Sequence, residues 1–270
     1  MAAVRIGVVG CAGRMGRALV SQILDNENAV LSGGTEHHDS PAVGRPLRHP
    51  VTGEELDVVV EADANGLFDR SDVVIDFTCP TATLLHADIA QRTGTALVVG
   101  TTGFTDDQAQ KLRAAGSKIP VVQAANFSLG VNLLLHLTEE VARRLDEDFD
   151  IEVLEMHHRH KVDAPSGTAL ALGEAAARGR GVELARVSDR VRDGITGARK
   201  RGHIGFATLR GGNVVGEHTV MFAAENERVE LTHKAGDRAI FARGAVTAAL
   251  WVHGRAPGVY GMADVLGFDG

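Results

Sequence analysis

The chain has 270 residues, of which 44% are hydrophobic and 23% are charged. This composition is typical of well-packed soluble proteins, and the length favours two domains over one. Its 28 basic and 35 acidic side chains give a formal net charge of −7, which argues against a general nucleic-acid-binding protein, because such proteins need a basic excess to neutralise phosphates.

The two cysteines, Cys11 and Cys79, do not make a disulfide framework in a chain of this size. No stretch is long and apolar enough for a signal peptide or a membrane span. We therefore expect a soluble protein of the reducing cytoplasm that binds neither membrane nor nucleic acid.

The first half alternates short apolar strands with helical segments. Residues 4–9 are rich in β-branched side chains and end at Gly10, and residues 14–26 follow with apolar side chains every four residues. The same pattern predicts strands over residues 30–33 (ending at Glu36), 73–77, 96–100 and 121–125, helices over 81–93 and 106–115, and a loop through Gly53. Strands that alternate with helices join through right-handed crossovers, which predicts a Rossmann-type doubly wound parallel sheet.

The pattern changes after Asn126. It predicts helices over residues 127–145, 166–178 and 239–253, a strand over 151–155, antiparallel strands over 205–210, 214–222 and 228–233, and a mobile, solvated loop over 178–201. We assign residues 1–126 and 239–270 to a dinucleotide-binding domain. Residues 127–238 are assigned to an α+β domain for substrate binding and oligomerisation, with a mainly antiparallel open sheet.

A glycine-rich loop joins the first strand to the first helix. Gly10 suits a tight turn, Gly13 lets the backbone approach a pyrophosphate, and Gly16 permits close packing of helix on strand. The helix N-terminus offers free N–H groups and a positive dipole end to phosphates. Glu36, twenty residues beyond Gly16, is placed to bind ribose hydroxyls. A tight turn without a ligand, a flavin site and an S-adenosylmethionine site are the alternatives.

Two more loops follow predicted parallel strands, namely 100–103 and 124–127. Ligands of doubly wound sheets bind at the carboxyl ends of the strands, so both loops are candidates for the same site. Simple strand-to-helix turns are the alternative.

A dense cluster of proton-active side chains lies between Glu155 and Thr168, where the sequence is EMHHRHKVDAPSGT. If the strand before it continues to His157, then Glu155 and His157 share one face and His158 points to the other. Zinc binding is the weaker alternative because no cysteine is nearby, and we predict no metal. A solvated basic face is the stronger alternative.

A helix begins directly after this cluster. Asp163 or Ser166 is expected to cap it, and the backbone N–H groups of Gly167 and Thr168 are expected to face a carboxylate. An anion site beside histidines and a lysine favours a reaction that needs a proton and an anionic substrate.

The motifs together resemble the dihydrodipicolinate reductase family. They are GxxGRMG, GTTGF, AANFS and ExHHRHKxDAPSGTA, with GFATxR, GEHT and THKA further on. The resemblance covers nearly the whole chain. It implies an NADH- or NADPH-dependent reductase of the diaminopimelate route to lysine, a cyclic dicarboxylic imine as substrate, and a homotetramer.

The resemblance also implies site residues. His157 corresponds to the catalytic histidine and Lys161 to the proton donor, although the residues alone leave open which of the two gives the proton. The residues implied for the substrate carboxylates are His158, Gly167 and Thr168. The residues implied for the cofactor are Gly10, Cys11, Ala12, Gly13, Arg14, Met15, Glu36, His37, Gly100, Thr101, Thr102, Ala124, Ala125, Asn126 and Phe127.

Two positions depart from the family pattern. Many members have arginine where this chain has His37, and often where it has Cys79, so two cations near the adenosine are missing. An acid on the ribose favours NADH, whereas Arg14 and a protonated His37 still tolerate a phosphate. We therefore predict use of both cofactors with a preference for NADH.

Two other functions remain as alternatives. One is a different Rossmann-type dehydrogenase of a small carboxylate, and the other is a regulator that senses nicotinamide without catalysis. The intact block from His157 to Lys161 disfavours a sensor, which has no need of a proton donor.

Overall fold

The computed structural model describes residues 2–268, which form two compact units. One contains the described residues up to Leu129 together with those from Ala239 onwards, and the other is Gly130–Arg238. No helix within residues 2–268 has the length and apolarity that crossing a membrane requires.

The strands are β1 (Val4–Val9), β2 (Ala29–Thr35), β3 (Pro46–Arg48), β4 (Glu55–Glu61), β5 (Val73–Asp76), β6 (Ala96–Val99), β7 (Pro120–Gln123), β8 (Asp150–His157), β9 (Ser188–Asp189), β10 (Ile204–Arg210), β11 (Gly216–Ala223), β12 (Arg228–Ala235) and β13 (Gly258–Tyr260). The helices are α1 (Arg14–Leu24), α2 (Ala64–Arg70), α3 (Pro80–Thr93), α4 (Asp106–Ala115), α5 (Leu129–Arg144), α6 (Gly167–Arg180), α7 (Leu184–Val187), α8 (Ala239–Val252) and α9 (Met262–Leu266).

The first unit contains an eight-stranded sheet in the order β13-β7-β6-β5-β1-β2-β4-β3. Every neighbouring pair is parallel except β3 with β4. Strands β5 and β6 are buried along their whole length, as continuous apolar runs require when helices cover both faces of a sheet. The predicted doubly wound parallel sheet is confirmed.

The strand order reverses at β1, which has β2 on one side and β5 on the other. Doubly wound sheets bind ligands outside the carboxyl ends of the strands at such a point. The glycine loop after β1 therefore lies where the fold favours a ligand.

Helix α8 packs tightly in the first unit because its buried face consists of small residues. Ala242, Ala245, Ala248 and Ala249 are fully buried in the core. A Cβ on Gly244 would overlap the carbonyl oxygen of Phe127, so only glycine lets the helix backbone approach this closely.

The second unit contains a five-stranded sheet in the order β12-β11-β8-β10-β9. β11 is antiparallel to β8 and β12, as predicted, but β10 is parallel to both β8 and β9. The antiparallel prediction for residues 205–210 was therefore wrong. The connection from β8 to β10 runs through α6 and α7, which is long enough for a parallel crossover.

The solvated loop predicted over residues 178–201 was wrong for residues 178–189, which contain the end of α6, all of α7 and β9. Residues 190–201 contain no helix or strand and are mostly exposed, as predicted, but two of their arginines are fixed to β8. Arg192 donates to both oxygens of Glu152 at 2.8 and 2.7 Å, and Arg199 donates to Asp150 at 2.7 Å and to Glu152 at 3.0 Å. These arginines look unpaired in the sequence, but in the structure they pair with the Asp150 and Glu152 carboxylates of β8.

Several short elements were not predicted. β3 forms inside the stretch interpreted as a loop, and β4, α2, β13 and α9 add to the first unit. β13 pairs in parallel with β7 and extends the sheet. Three-residue strands such as β3 and β13 are too short for a periodic signal.

Gly244→Ala is expected to lower the thermal midpoint of unfolding, because the added methyl group displaces the backbone at Phe127. Overpacking of this kind costs about 1–3 kcal/mol. Gly66→Ala in α2 is the matched control, since the nearest atom to its Cβ is a terminal nitrogen of Arg70 at 3.4 Å, an ordinary van der Waals distance. Circular dichroism melting should show a lower midpoint for Gly244→Ala only, and equal midpoints would refute the close-approach argument.

Candidate active site

The predicted nucleotide residues of the first unit follow the carboxyl ends of neighbouring strands. Residues 10–15 follow β1, Glu36 and His37 follow β2, residues 100–102 follow β6, and residues 124–127 follow β7. Since these strands lie in the order β7-β6-β5-β1-β2, the four segments lie along one edge of one sheet.

The glycine loop has the backbone geometry that its sequence predicts. Gly10 adopts a φ of +70°, and its N–H donates to the Thr35 carbonyl at 2.8 Å, as that of Cys11 does at 3.1 Å. A Cβ on Gly16 would overlap the Gly10 carbonyl oxygen and lie 2.6 Å from the Cα of Cys11. Side chains at these positions would destroy the turn.

The start of α1 is suited to an anion. Gly13 is its N-cap and has no side chain to bond the first N–H groups, and no acidic residue lies in the first turn. Unpaired N–H groups and the helix dipole attract phosphates. The residues present therefore fit the pyrophosphate of a dinucleotide.

Glu36 lies directly beside the glycine loop. Its Oε1 accepts a hydrogen bond from the Ala12 N–H at 2.8 Å, and the side chain is half-buried. A carboxylate has further lone pairs for ribose hydroxyls. The neighbouring His37 is exposed and lies 3.6 Å from a carboxylate oxygen of Asp39.

Three of the predicted cofactor residues have side chains committed to the protein interior. Cys11 and Phe127 are buried, and the Thr101 hydroxyl bonds that of Thr83 at 2.8 Å. Burial, followed by the Glu36 charge, raises the pKa of Cys11 to about 12, so the thiol stays protonated. These three residues can reach a cofactor through their backbones only, whereas Arg14 and Thr102 are exposed.

Asp76, for which no role was predicted, is a fully buried carboxylate. It ends β5 and bonds His86 Nδ1 at 2.8 Å and the backbone and hydroxyl of Thr78 at 2.8 and 2.6 Å. Burial alone would raise its pKa, but these partners hold it below the usual value. Asp76 thus fixes the loop after β5, between the loops after β1 and β6.

In the second unit, Glu155 and His157 share the buried face of β8, as predicted from strand alternation. Oε2 of Glu155 lies 2.6 Å from Nδ1 of His157, and Oε1 accepts the Ser166 N–H at 3.0 Å. Arg210 donates to both oxygens, at 2.8 and 3.0 Å.

The Glu155 carboxylate is ionised despite being only 1% exposed. Burial alone would raise its pKa, but the bonds from Arg210, His157 and Ser166 outweigh burial and lower the pKa below the usual value. Because an ionised carboxylate only accepts hydrogen bonds, His157 carries its proton on Nδ1 or on both nitrogens. Its Nε2 is the ring atom left for chemistry.

His218 contacts the same cluster from β11. Its ring lies edge-on to that of His157, with centroids 5.1 Å apart, and its Nε2 is 3.1 Å from the Ser166 hydroxyl. Burial, followed by the charge of His157, lowers its pKa to about 4. His218 is therefore neutral near pH 7 and adds no positive charge beside His157.

No role was predicted for Arg210 or His218, although both belong to motifs that carry the family resemblance. Strand register places them: Arg210 is opposite His157 in the β8–β10 pair, and His218 is opposite Glu155 in the β8–β11 pair. Register between distant strands has no local sequence signal.

The remaining predicted residues of this unit surround the start of α6. Ser166, not Asp163, is the N-cap, and it accepts the Ala169 N–H at 3.2 Å. Lys161 Nζ donates to Asp163 at 2.9 Å, with its side chain 21% exposed. Gly167 is exposed, with no atom within 4 Å of where a Cβ would be, so the approach to the helix N-terminus is open.

His158 follows directly after the last residue of β8 and is half-buried. Its Nδ1 is buried without a hydrogen-bond partner in the part of the chain that the structure describes. Desolvation, followed by the charge of Arg238, lowers its pKa. An unsatisfied buried ring nitrogen in a cationic neighbourhood favours contact with a polar, anionic ligand.

Within residues 2–268, one group brings three metal-ligating atoms within 4.8 Å of one another, and it consists of the exposed residues His37, His38 and Asp39. The run from His157 to His160 does not form such a group. The zinc alternative for that run has no support from its geometry.

Comparison with known proteins covers both units. The family profile described as "Dihydrodipicolinate reductase, N-terminus" matches residues 4–127, and the one described as "Dihydrodipicolinate reductase, C-terminus" matches residues 130–266. A 4-hydroxy-tetrahydrodipicolinate reductase from a Ruegeria species is 55% identical over 262 residues, 97% of each chain. The enzyme of that name from Parvibaculum lavamentivorans is 53% identical over 267 residues, 98% of each chain.

Solved structures give the same result. A dipicolinate-bound dihydrodipicolinate reductase from a Paenisporosarcina species has a TM-score of 0.78 and 27% identity, over 97% of this chain and 99% of that chain. An amine dehydrogenase from Mycobacterium smegmatis, with a TM-score of 0.58 and 14% identity over 95% and 94% of the two chains, shares the fold alone. The resemblance predicted from the motifs is confirmed over nearly the whole chain.

The low pKa of His218 predicts a loss of stability in acid. Its folded-state pKa of about 4 lies below its ordinary value of 6.5, so the unfolded chain takes up the proton first as the pH falls. His218 therefore has no effect above pH 6.5 and costs stability between about pH 6.5 and 4. At pH 5 the cost is about 2 kcal/mol.

His218→Gln should remove this part of the pH dependence, and His38→Gln, an exposed histidine, should leave it unchanged. Urea unfolding of the three proteins at pH 7.5 and 5.0 measures the effect. If His218→Gln loses as much unfolding free energy between the two pH values as the parent chain, His218 is not buried in its neutral form.

Proposed function

The chain belongs to the dihydrodipicolinate reductase family, and we propose that it reduces 4-hydroxy-tetrahydrodipicolinate to tetrahydrodipicolinate with NADH or NADPH, in diaminopimelate and lysine biosynthesis. The observation that carries the proposal is the buried, ionised Glu155 carboxylate that orients His157 and accepts the Ser166 N–H at the open start of α6. This is a site for proton transfer to an anionic substrate.

The first unit would hold the nicotinamide dinucleotide. The uncapped start of α1 fits the pyrophosphate, and Glu36 fits the adenosine ribose. The loops 100–102 and 124–127 follow strands on the other side of β1, which suits the nicotinamide half. When bound, the reduced cofactor supplies the hydride.

The second unit would supply the proton and hold the substrate. His157 is fixed by Glu155 at Nδ1 and presents Nε2 beside Gly216, where a Cβ would come within 3.1 Å of this nitrogen. The absence of a side chain there keeps Nε2 accessible. Either this nitrogen or Lys161 Nζ delivers the proton that must accompany a hydride when an unsaturated C–N bond is reduced.

Two substrate carboxylates need two sets of donors. We assign them to His158 and to the N–H groups of Gly167 and Thr168 at the start of α6. The N-cap Ser166 fixes that start by accepting the Ala169 N–H. Donors held rigidly before the substrate arrives bind anions without the cost of reorganisation.

The second unit would also form the predicted homotetramer, in the cytoplasm. β12 is an edge strand of the five-stranded sheet. Two apolar side chains of this sheet, Leu209 on β10 and Val229 on β12, are 47% and 36% exposed. Edge strands and exposed apolar side chains favour association with another chain.

Paired steady-state assays with NADH and NADPH on enzymatically made 4-hydroxy-tetrahydrodipicolinate test the function. We expect turnover with both cofactors and a modestly higher kcat/KM with NADH, because Glu36 favours an unphosphorylated ribose. A preference for NADPH above tenfold would contradict the predicted preference. Cofactor binding without turnover would favour the sensing regulator, and turnover of a different carboxylate alone would favour another dehydrogenase.

Lys161→Ala should lower kcat by two or more orders of magnitude, in the range of roughly 10²–10⁴ typical for loss of a general acid. NADH affinity should stay within about twofold of the parent value, because Lys161 lies in the second unit with Asp163 as its partner. Lys118→Ala, at an exposed position of the first unit, is the control. A parallel loss of NADH affinity, measured by fluorescence titration, would instead assign Lys161 to the cofactor.

A further inference from the structure

The first unit contains a cavity of about 660 Å³ beside the glycine loop. Its lining combines Ala12 of that loop and Arg17 of α1 with residues of the segment that leads into β3 and β4. The lining residues are Ala12, Arg17, Pro41, Ala42, Arg45, Pro46, Leu47, Arg48, His49, Pro50, Glu55 and Val60.

The charged groups of this cavity are mostly positive. Three arginines face one glutamate, and that glutamate is already paired, since Arg48 donates to Glu55 at 2.5 Å. Arg17 donates its Nε to the Ala12 carbonyl at 2.8 Å, which leaves its terminal nitrogens for another acceptor. In the part of the chain that the structure describes, the Arg45 side chain has no hydrogen bond or ion pair.

His49 adds a neutral donor. Its Nδ1 accepts the N–H groups of Val51 and Thr52, both at 3.2 Å. A ring nitrogen that accepts is not protonated, so Nε2 carries the hydrogen. The cavity thus offers the unpaired guanidinium group of Arg45, the terminal nitrogens of Arg17 and an imidazole N–H, which is a donor set that binds phosphate.

The cavity adjoins the expected adenosine ribose. Ala12 lines the cavity, and its N–H is the group that Glu36 binds at 2.8 Å. A phosphate on that ribose would be repelled by Glu36 and would need cations on the side away from it. His37 and Cys79, where many family members have arginine, do not supply permanent charge.

We infer that this cavity binds the 2′-phosphate of NADPH, with Arg45 and Arg17 as its principal donors. The inference rests on the proposed function, because it assumes that a dinucleotide binds on the glycine loop. It explains how the chain can use NADPH without the arginine that usually follows the ribose acid. The sequence did not reveal this site, because the residues up to Gly53 were interpreted as a loop. In the structure, part of this stretch forms β3, and the pairing of β3 with β4 builds one wall of the cavity.

The first test measures binding of 2′,5′-ADP (adenosine 2′,5′-bisphosphate) and of 5′-AMP, which differ only in the 2′-phosphate, by calorimetry. Arg45→Gln should weaken 2′,5′-ADP by roughly fivefold or more relative to 5′-AMP, as expected for loss of a charge-assisted hydrogen bond. Glu55→Gln, which frees Arg48, should strengthen 2′,5′-ADP relative to 5′-AMP. Arg113→Gln, at an exposed position in the last turn of α4, should leave the ratio of the two affinities unchanged.

The second test measures kcat/KM with NADPH and with NADH in the same variants. Arg45→Gln should lower the ratio of NADPH to NADH efficiency, and Glu55→Gln should raise it. Unchanged ratios in both variants, with turnover intact, would overturn the inference while leaving the proposed function standing. An absence of turnover with either cofactor in the parent chain would instead count against the proposed function.

Inorganic phosphate serves as the third probe, because a free anion has the same chemistry as the ribose phosphate. If Arg45→Gln abolishes stabilisation of the chain by phosphate in thermal melts but leaves the ratio of 2′,5′-ADP to 5′-AMP affinity unchanged, the cavity binds a separate anion. That result would overturn the assignment to NADPH. Competition between phosphate and 2′,5′-ADP, but not between phosphate and 5′-AMP, would support it.

Discussion

The site of the second unit depends on one buried carboxylate. Glu155 is ionised at the centre of a β-sheet face, a state that costs several kcal/mol unless every oxygen is well bonded. Its partners come from three separate segments, namely His157 on its own strand, Ser166 before α6, and Arg210 on β10. The bonds that make the charge tolerable also hold the histidine ring, the helix start and the parallel strand together.

Each unit has the start of a helix at its candidate site, but the two helix starts differ in how they are built. In the first, small residues let the backbone come close to a ligand, and an uncapped helix start provides positive potential without a charged side chain. In the second, a capped helix start lies beside titratable side chains whose pKa values are shifted by burial, by Arg210 at Glu155 and by the charge of His157 at His218. The anion-binding helix start and the titratable cluster are therefore built by separate parts of the chain.

Local sequence was sufficient for the elements with strong periodicity and for motifs on contiguous residues. The glycine loop, the alternation along β8 and the return of α8 to the first unit were all predictable for this reason. Arg210, His218 and Asp76 were not, because each acquires its role from a strand register or from burial. The parallel direction of β10 was missed because a strand's own residues do not specify its partner.

The first unit is assembled from two distant stretches of the chain, since α8 lies in its core and β13 extends its sheet. During synthesis, the strands from β1 to β7 leave the ribosome long before α8 is made. Until then the small-residue face of α8 is missing, and the apolar surface of β5 and β6 that it covers stays exposed to water. The core of the first unit is thus completed only after the whole second unit has been translated.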